Sequence, residues 1–326
     1  MKYATIGTSW ITEAFIESTS LVDDLELCAV YSRSFEKAEA FRQKHSAALA
    51  FDSLDALAAC PDISAVYIGT PNSLHYEQSK KMLEAGKHVI CEKPIVVNPE
   101  EVRELIDLAR AKGLVYMEAI MFLHSPAHRA LLAALPKIGR ITTAHLAFSQ
   151  LSSKYPRVLA GEHPNIFNPK LCAGCLMDIG VYNVYTAIAL FGYPKEIRSA
   201  AGFLETGADA YGTSIFMYDD KQITLTYSKV GQHYAPSEIY GDRGTLQIDT
   251  LSLFNGLRIC YSDGTTQQIF GEESRQTIMA VEAQRLYNYV NQPETHKDEY
   301  YAAQELALAV SRAMKEIRRQ NPLFAF

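Results

Sequence analysis

The sequence predicts an α/β chain: an N-terminal parallel, doubly wound sheet, then an α+β domain with an open, mainly antiparallel sheet. Three observations lead there. The chain's 326 residues, 48% of them hydrophobic, exceed what one core usually holds. From residue 2 to about 118, short β-branched runs alternate with longer amphipathic stretches, the rhythm of successive βαβ units. After Ile120 that rhythm stops, and a series of strand-like runs separated by turn signals follows, closed by two helical segments. Domains are drawn at 1–120 and 121–326, with the C-terminal helices able to pack back on the first.

In the first domain the strands fall at 2–7, 25–31, 65–68, 88–91 and 115–118, and the helices at about 11–18, 34–44, 73–85 and 99–112. The last helix opens with Asn98 as N-cap and Pro99 at the first helical position. In the second domain a helix at 125–135 precedes a strand at 141–149. A polar stretch, 151–173, then carries Lys154, Tyr155, Arg157, His163 and Asn165. A long loop in a compact domain usually has a task, and Tyr155 and His163 are its candidates for contacting substrate hydroxyls. A helix at 175–190 leads into strands at 196–204, 212–218, 222–228, 235–240, 244–249 and 257–269, then helices at 276–291 and 299–319. An open face on this sheet would expose a large apolar surface for a second subunit, so a homodimer or larger homo-oligomer is expected.

The formal charge of -6 comes without a basic block, which argues against nucleic acid or an anionic membrane as the main partner and leaves a small molecule. No stretch is read as approaching the roughly 20 apolar residues of a spanning helix, and a cytoplasmic setting is expected. The six scattered cysteines read as reduced thiols. Cys172 and Cys175 are closely spaced but lack a second pair, so no metal site is assigned.

Four segments carry chemistry. Gly7-Thr8-Ser9-Trp10-Ile11-Thr12 occupies the first strand-to-helix turn, where a dinucleotide-binding sheet places its Gly-x-Gly-x-x-Gly loop. Only the first glycine is present. Ser9 still allows close approach of a pyrophosphate, and Thr12 implies looser helix packing; a purely structural turn fits as well. After the second strand, Ser32-Arg33-Ser34 stands where an NAD site places an acid on the ribose. A guanidinium between hydroxyls, with Lys37 one turn on, suits the 2'-phosphate of NADP, with NAD as the alternative; Ser34 also fits as a helix cap. Thr70, Pro71, Asn72 and His75 follow the next strand and are read as lining the nicotinamide half of the cofactor. Glu92-Lys93-Pro94 ends the strand at 88–91. Proline restricts the residue before it, so Lys93 is held extended and aimed; an isolated Glu-Lys-Pro reads more readily as a solvated exit, and its surroundings reverse that.

Taken in order, these motifs, with Ala85-Gly86-Lys87-His88-Val89, Met117-Glu118-Ala119 and Gly174-Cys175-Leu176-Met177-Asp178-Ile179-Gly180-Val181-Tyr182, make the chain resemble a known family. It is similar to the glucose-fructose oxidoreductase and inositol dehydrogenase (Gfo/Idh/MocA) family, and within it to the dihydrodiol dehydrogenase-like branch. The resemblance spans the whole chain. It implies a Rossmann domain binding NAD(P), with Glu92 and Lys93 at the cofactor, and a C-terminal domain that covers the nicotinamide and often mediates oligomerisation. It implies sugar, cyclitol or diol substrates, and it matches the family's lysine to Lys93, its aspartate to Asp178, and the branch's tyrosine to Tyr182. Asp178 and Tyr182 at i, i+4 would share one helix face, and a nearby Lys93 cation would favour the Tyr182 phenolate as general acid/base; apart from the resemblance, a core tyrosine and an aspartate satisfying helix-start N–H groups fit better. Two basic residues common in the branch are replaced here by Leu123 and Asn165, which argues against an acidic or phosphorylated substrate.

The chain is therefore read as an NAD(P)-dependent dehydrogenase or reductase acting on CH–OH groups, NADP being preferred. The alternative is a catalytically silent dinucleotide-binding regulator, made credible by the glycine-poor loop; a methyltransferase fits poorly, having no evident need for Lys93 and Tyr182.

Overall fold

A computed structural model describes residues 1–326. The chain divides into two compact units, Met1–His124 with Ser274–Leu308, and Ser125–Glu273 with Ala309–Phe326.

In the first unit, strands β1 (Lys2–Ile6), β2 (Glu26–Tyr31), β3 (Leu49–Phe51), β4 (Ala65–Ile68), β5 (His88–Glu92) and β6 (Tyr116–Ala119) form one sheet in the order β3-β2-β1-β4-β5-β6. Every pairing in it is parallel. Helices α1 (Trp10–Thr19), α2 (Phe35–Lys44), α3 (Leu54–Ala59), α4 (His75–Glu84) and α5 (Pro99–Ala111) make the connections. A strand covered on both faces must be apolar along its length, and all four residues of β4 are fully buried. The strand order reverses between β1 and β4, the switch point at which open α/β sheets bind ligands. At the start of α5, Pro99 takes the first turn and the Glu101 carboxylate accepts from the Asn98 N–H at 3.4 Å. The short elements β3 and α3 are additions to the sequence reading.

The second unit begins with α6 (Pro126–Ala134), β7 (Ile141–Ser149), α7 (Tyr155–Leu159) and α8 (Val181–Phe191). Strands β8 (Glu196–Phe203), β9 (Asp209–Met217), β10 (Gln222–Ser228), β11 (Ser237–Gly241), β12 (Gly244–Thr250), β13 (Asn255–Tyr261) and β14 (Thr266–Phe270) follow. With β7 they form an eight-stranded sheet in the order β14-β13-β12-β11-β7-β10-β9-β8. The β7–β10 pair is parallel and the other pairs are antiparallel. The single run anticipated at 257–269 is two strands, because the Asp263-Gly264 turn folds it into a hairpin: the Tyr261 N–H donates to the Thr265 carbonyl at 2.9 Å. Helix α8 is fastened to the sheet by Asn183, whose Nδ2 donates to the Leu146 carbonyl at 2.9 Å and the Thr226 carbonyl at 3.3 Å. The opposite sheet face carries Thr143, His145, Tyr211, Thr213, Thr224 and Thr226, exposed or half-buried. That face mixes β-branched threonines with Tyr211 and the half-buried Ile215 and Met217, so it is less apolar than the large apolar surface expected there.

The chain closes with α9 (Arg275–Asn291) and α10 (Pro293–Arg319). Helix α9 belongs to the first unit, where Gln276 Nε2 donates to the Glu17 carbonyl at 3.1 Å. The first half of α10 is tied there too, through Gln304 Oε1, which accepts from Arg110 Nη2 at 2.8 Å, and Tyr300 Oη, which accepts from the Tyr116 N–H at 2.8 Å. One helical run, Pro169–Phe191, is long and apolar enough to cross a membrane by length and composition, which corrects the reading that no stretch approaches that length. Its most apolar window is 72% buried inside the protein, as the core helix of a sheet-packed unit is.

Candidate active site

The turn after β1 is built by mutual accommodation of two glycines and a threonine. Gly7 sits at φ +110°, and a Cβ there would meet the Gly69 carbonyl oxygen at 2.6 Å. A Cβ on Gly69 would in turn lie 2.5 Å from Thr12 Oγ1. Thr12 is fully buried, so the third position of the turn is tightly filled, the bare Gly69 opposite making room for it. Ser9 is the N-cap of α1 but makes no side-chain cap bond; its hydroxyl lies 3.1 Å from Thr12 Oγ1 and donates to the Gly69 carbonyl at 3.3 Å. The first N–H groups of α1 are thereby left without a side-chain cap, the arrangement that receives a pyrophosphate. Thr8 and Ile11 are half-buried beside the turn, and Trp10 is 65% exposed.

At the end of β2, Arg33 is exposed between half-buried Ser32 and Ser34. The Ser34 hydroxyl accepts from the Lys37 N–H at 3.4 Å, so it caps α2 while the guanidinium beside it faces solvent. These residues fit a dinucleotide carrying a ribose phosphate: a glycine cradle, an uncapped helix start and a cation at the ribose position.

Around the ends of β4 and β5 the main chain is fixed from several sides. Glu92, 8% exposed, accepts from the Tyr67 hydroxyl at 2.6 Å and from the Lys93 N–H at 3.2 Å. Burial, then Glu92, push the Tyr67 phenol well above its usual range. The Lys93–Pro94 peptide is cis. His75 is completely buried, with Nδ1 2.9 Å from the Pro94 carbonyl and Nε2 2.9 Å from the Thr70 carbonyl. Both ring nitrogens are thus spent on main chain, and His75 shapes this region from behind. Two carbonyl acceptors would suit an imidazolium, but burial outweighs them and, with Lys93 nearby, holds the ring below its usual pKa. The neutral ring carries a single N–H, so it donates to one of these carbonyls at a time, and the tautomer sets which. The Ile95 N–H donates to Glu118 at 2.9 Å. Glu282 on α9 is 1% exposed, and burial together with Glu92 and Glu118 pushes its carboxyl well above the carboxylate range. Thr70, Pro71, Asn72 and Lys93 are half-buried.

The second unit holds the remaining candidates. Asp178 sits in a single π-turn, Leu176–Gly180, that leads into α8; such turns are frequent at functional sites. Tyr182 follows in the first turn of α8, its ring 5.6 Å from that of Phe148 in an edge-on contact. The turn is set by Asp209 on β9, whose Oδ2 accepts from the Leu176 N–H at 2.6 Å. Gly174 is needed for this, since a Cβ on it would lie 1.9 Å from Asp209 Oδ1. Burial pushes the Asp209 carboxyl up to about 6 against the lowering effect of that N–H.

Sequence reasoning missed the partner of Asp178. The Lys229 ammonium forms an ion pair with Asp178 Oδ2; the lysine side chain is 4% exposed and the aspartate 31%. A signal for it existed: Ile223, Leu225 and Tyr227 are the buried positions of β10, and Lys229 continues their parity. Lys93 lies in the first unit and Asp178, Tyr182 and Lys229 in the second. In the 151–173 segment Tyr155 opens α7 half-buried and His163 is exposed.

Residues 1–120 match the oxidoreductase family with the NAD-binding Rossmann fold, and residues 130–247 match the GFO/IDH/MocA C-terminal domain. A scyllo-inositol 2-dehydrogenase (NADP(+)) of Bacillus subtilis is 39% identical over 320 residues, covering 98% of this chain and 97% of the relative. The trans-1,2-dihydrobenzene-1,2-diol dehydrogenase of Xenopus tropicalis is 31% identical over 254 residues, 76% of this chain and 74% of the relative. Among solved structures, a 3-ketoreductase from Actinomadura kijaniata in complex with NADP and TDP-benzene superposes with a TM-score of 0.85 at 23% identity, covering 98% and 97% of the two chains, a likeness of fold. With its Rossmann sheet, glycine cradle and matching second domain, the chain belongs to the GFO/IDH/MocA family of oxidoreductases.

Proposed function

We propose that the protein is an NADP-dependent dehydrogenase that interconverts a secondary alcohol and a carbonyl on a neutral cyclitol, sugar or diol. The observation that carries this reading is the fixing of the main chain around Lys93. Its N–H is held by Glu92 and the Pro94 carbonyl lies against His75 Nδ1, so the lysine is presented from anchored backbone at the C-terminal edge of the parallel sheet. The relative named as a scyllo-inositol 2-dehydrogenase (NADP(+)) supports the substrate class and the cofactor. Arg33, with Ser32 and Ser34, would hold the ribose phosphate; Gly7, Thr8, Ser9, Trp10 and Ile11 would receive the pyrophosphate; Thr70, Pro71 and Asn72 would line the nicotinamide half, with His75 and Glu92 behind.

The bound dinucleotide supplies the hydride acceptor or donor. In this reading Tyr182 exchanges the proton of the reacting hydroxyl, the Lys93 ammonium supports negative charge on the oxygen, and Asp178 accepts from a second substrate hydroxyl. The open sheet face of the second unit, with Tyr211, Ile215 and Met217 among its threonines, supports a homo-oligomer as its working state, and six free thiols support a reducing, cytoplasmic setting. Titration with NADPH and NADH by reduced-nicotinamide fluorescence, on native protein and Arg33→Ala, followed by turnover of neutral polyols by native protein and Tyr182→Phe, tests the reading. Preferential NADPH binding lost in Arg33→Ala, with turnover lost in Tyr182→Phe, is expected. Binding without turnover would mark a silent regulator instead.

A further inference from the structure

The pair formed by Lys229 and Asp178 lies within one unit and has a definite front and back. The lysine side chain is 4% exposed and the aspartate 31%, so the ammonium stands behind the carboxylate, and an approaching molecule meets the carboxylate. The backbone of Lys229 is pinned where β10 runs beside β9, its N–H donating to the Ala210 carbonyl at 2.8 Å. Its ammonium also lies 5.7 Å from the ring centroid of Phe167, which is fully buried. Asp209, a further charge nearby, is 1% exposed and directed at the Leu176 N–H, so it does not face a ligand.

We propose that Lys229 is the positioning residue of Asp178: it compensates the carboxylate's charge and fixes it as an acceptor for a substrate hydroxyl. A lone carboxylate in that place would draw cations and turn freely; a lone ammonium would draw acids. Paired, they offer an acceptor that is oriented and locally compensated. This rests on the proposed function, in which Asp178 faces the substrate.

The test compares native protein with Lys229→Met, Lys229→Arg, Asp178→Asn and the Asp178→Asn/Lys229→Met double variant. For each, kcat and KM are measured with scyllo-inositol as the neutral probe and NADP+ saturating, and NADPH affinity is measured by fluorescence. Lys229→Met is expected to raise KM tenfold or more, with kcat and NADPH affinity within twofold of native. Lys229→Arg recovers most of that loss, and the double variant matches Asp178→Asn, because Lys229 acts only through the carboxylate. If Asp178→Asn fails to fold around its unpaired buried ammonium, the Met and Arg variants alone carry the comparison. A KM within twofold of native in folded Lys229→Met overturns the proposal, as does equal loss in the Met and Arg variants. Failure of the underlying function reads differently: the native protein itself then reduces no NADP+ with any neutral polyol, and this inference falls with it.

Discussion

Replacing Asp209 by asparagine should change how the second unit's stability depends on pH. The Asp209 carboxyl is pushed from 3.8 up to about 6 in the folded protein, chiefly by burial. Its folded pKa is raised, so its contribution is fully present below the unfolded value and is lost as pH rises through the folded one. The window runs from about pH 4 to pH 6, and two pKa units at 1.36 kcal/mol each make the loss roughly 3 kcal/mol. An asparagine in this place could keep an acceptor for the Leu176 N–H while carrying no charge, so Asp209→Asn should flatten that part of the curve. Relative to native, the variant gains roughly 3 kcal/mol between pH 4 and pH 7, on top of any pH-independent offset. The single tryptophan, Trp10, belongs to the first unit, so its fluorescence does not report this change. Hydrogen exchange across a urea series, read as the midpoint for peptides of β9 and β10, does. Native and variant midpoints that run parallel from pH 4 to pH 7 would refute the account.

Arg33→Ala should weaken NADPH binding about 10- to 100-fold, the worth of charge-assisted contacts to one phosphate, and leave NADH nearly untouched; equal loss for both dinucleotides would move the ribose phosphate elsewhere. Gly69→Ala drives a methyl into Thr12 Oγ1 at 2.5 Å and should cost about 1–3 kcal/mol in thermal or urea unfolding, with Thr12→Gly in the same chain restoring part of it. No recovery in the double variant would show that the clash with Tyr67, at 3.0 Å, dominates. His75→Asn offers an N–H donor in the place of Nδ1, beside the Pro94 carbonyl, and should keep more of kcat than His75→Ala; equal rates would separate that contact from Lys93.

What the sequence made legible follows from how locally each feature is encoded. The parallel sheet was readable because strands buried on both faces are written as continuous apolar runs, as in Ala65-Val66-Tyr67-Ile68. The N-terminal end of α5 was readable because Asn98 and Pro99 stand side by side as cap and first helical residue. The three residues of β3 and the six of α3 are too short to establish a period. The parallel pairing of β7 with β10 could not be read, since two amphipathic strands with the same alternation serve either direction. The membership of α9 and half of α10 in the first unit is written in contacts such as Gln276 to Glu17, across 259 residues. Arg33 and the Glu-Lys-Pro lysine were found because each sits at a strand's end, where position alone marks a ligand-facing residue.

The charges around Asp178 are a different kind of information. Lys229 reaches it across 51 residues and Asp209 reaches Leu176 across 33, and no periodicity connects either pair. They meet because β9 and β10 form a hairpin with a fixed register, Gln222 opposite Met217 and Ser228 opposite Tyr211, closed at the turn by the Tyr218 N–H to the Lys221 carbonyl at 3.0 Å. Residues 223, 225, 227 and 229 of one strand face the helix that carries Asp178 and Tyr182, while their neighbours face away. A slip of one residue in that register would exchange the two faces, turning Lys229 outward and a serine inward. The register in turn depends on apolar anchors: Ile223, Leu225 and Tyr227 are fully buried and would be thrown into the open by the same slip. Core packing therefore places the one buried ammonium of this face against its carboxylate, and the electrostatics of Asp178 are set by hydrophobic alternation in a hairpin whose residues otherwise make no claim on the chemistry.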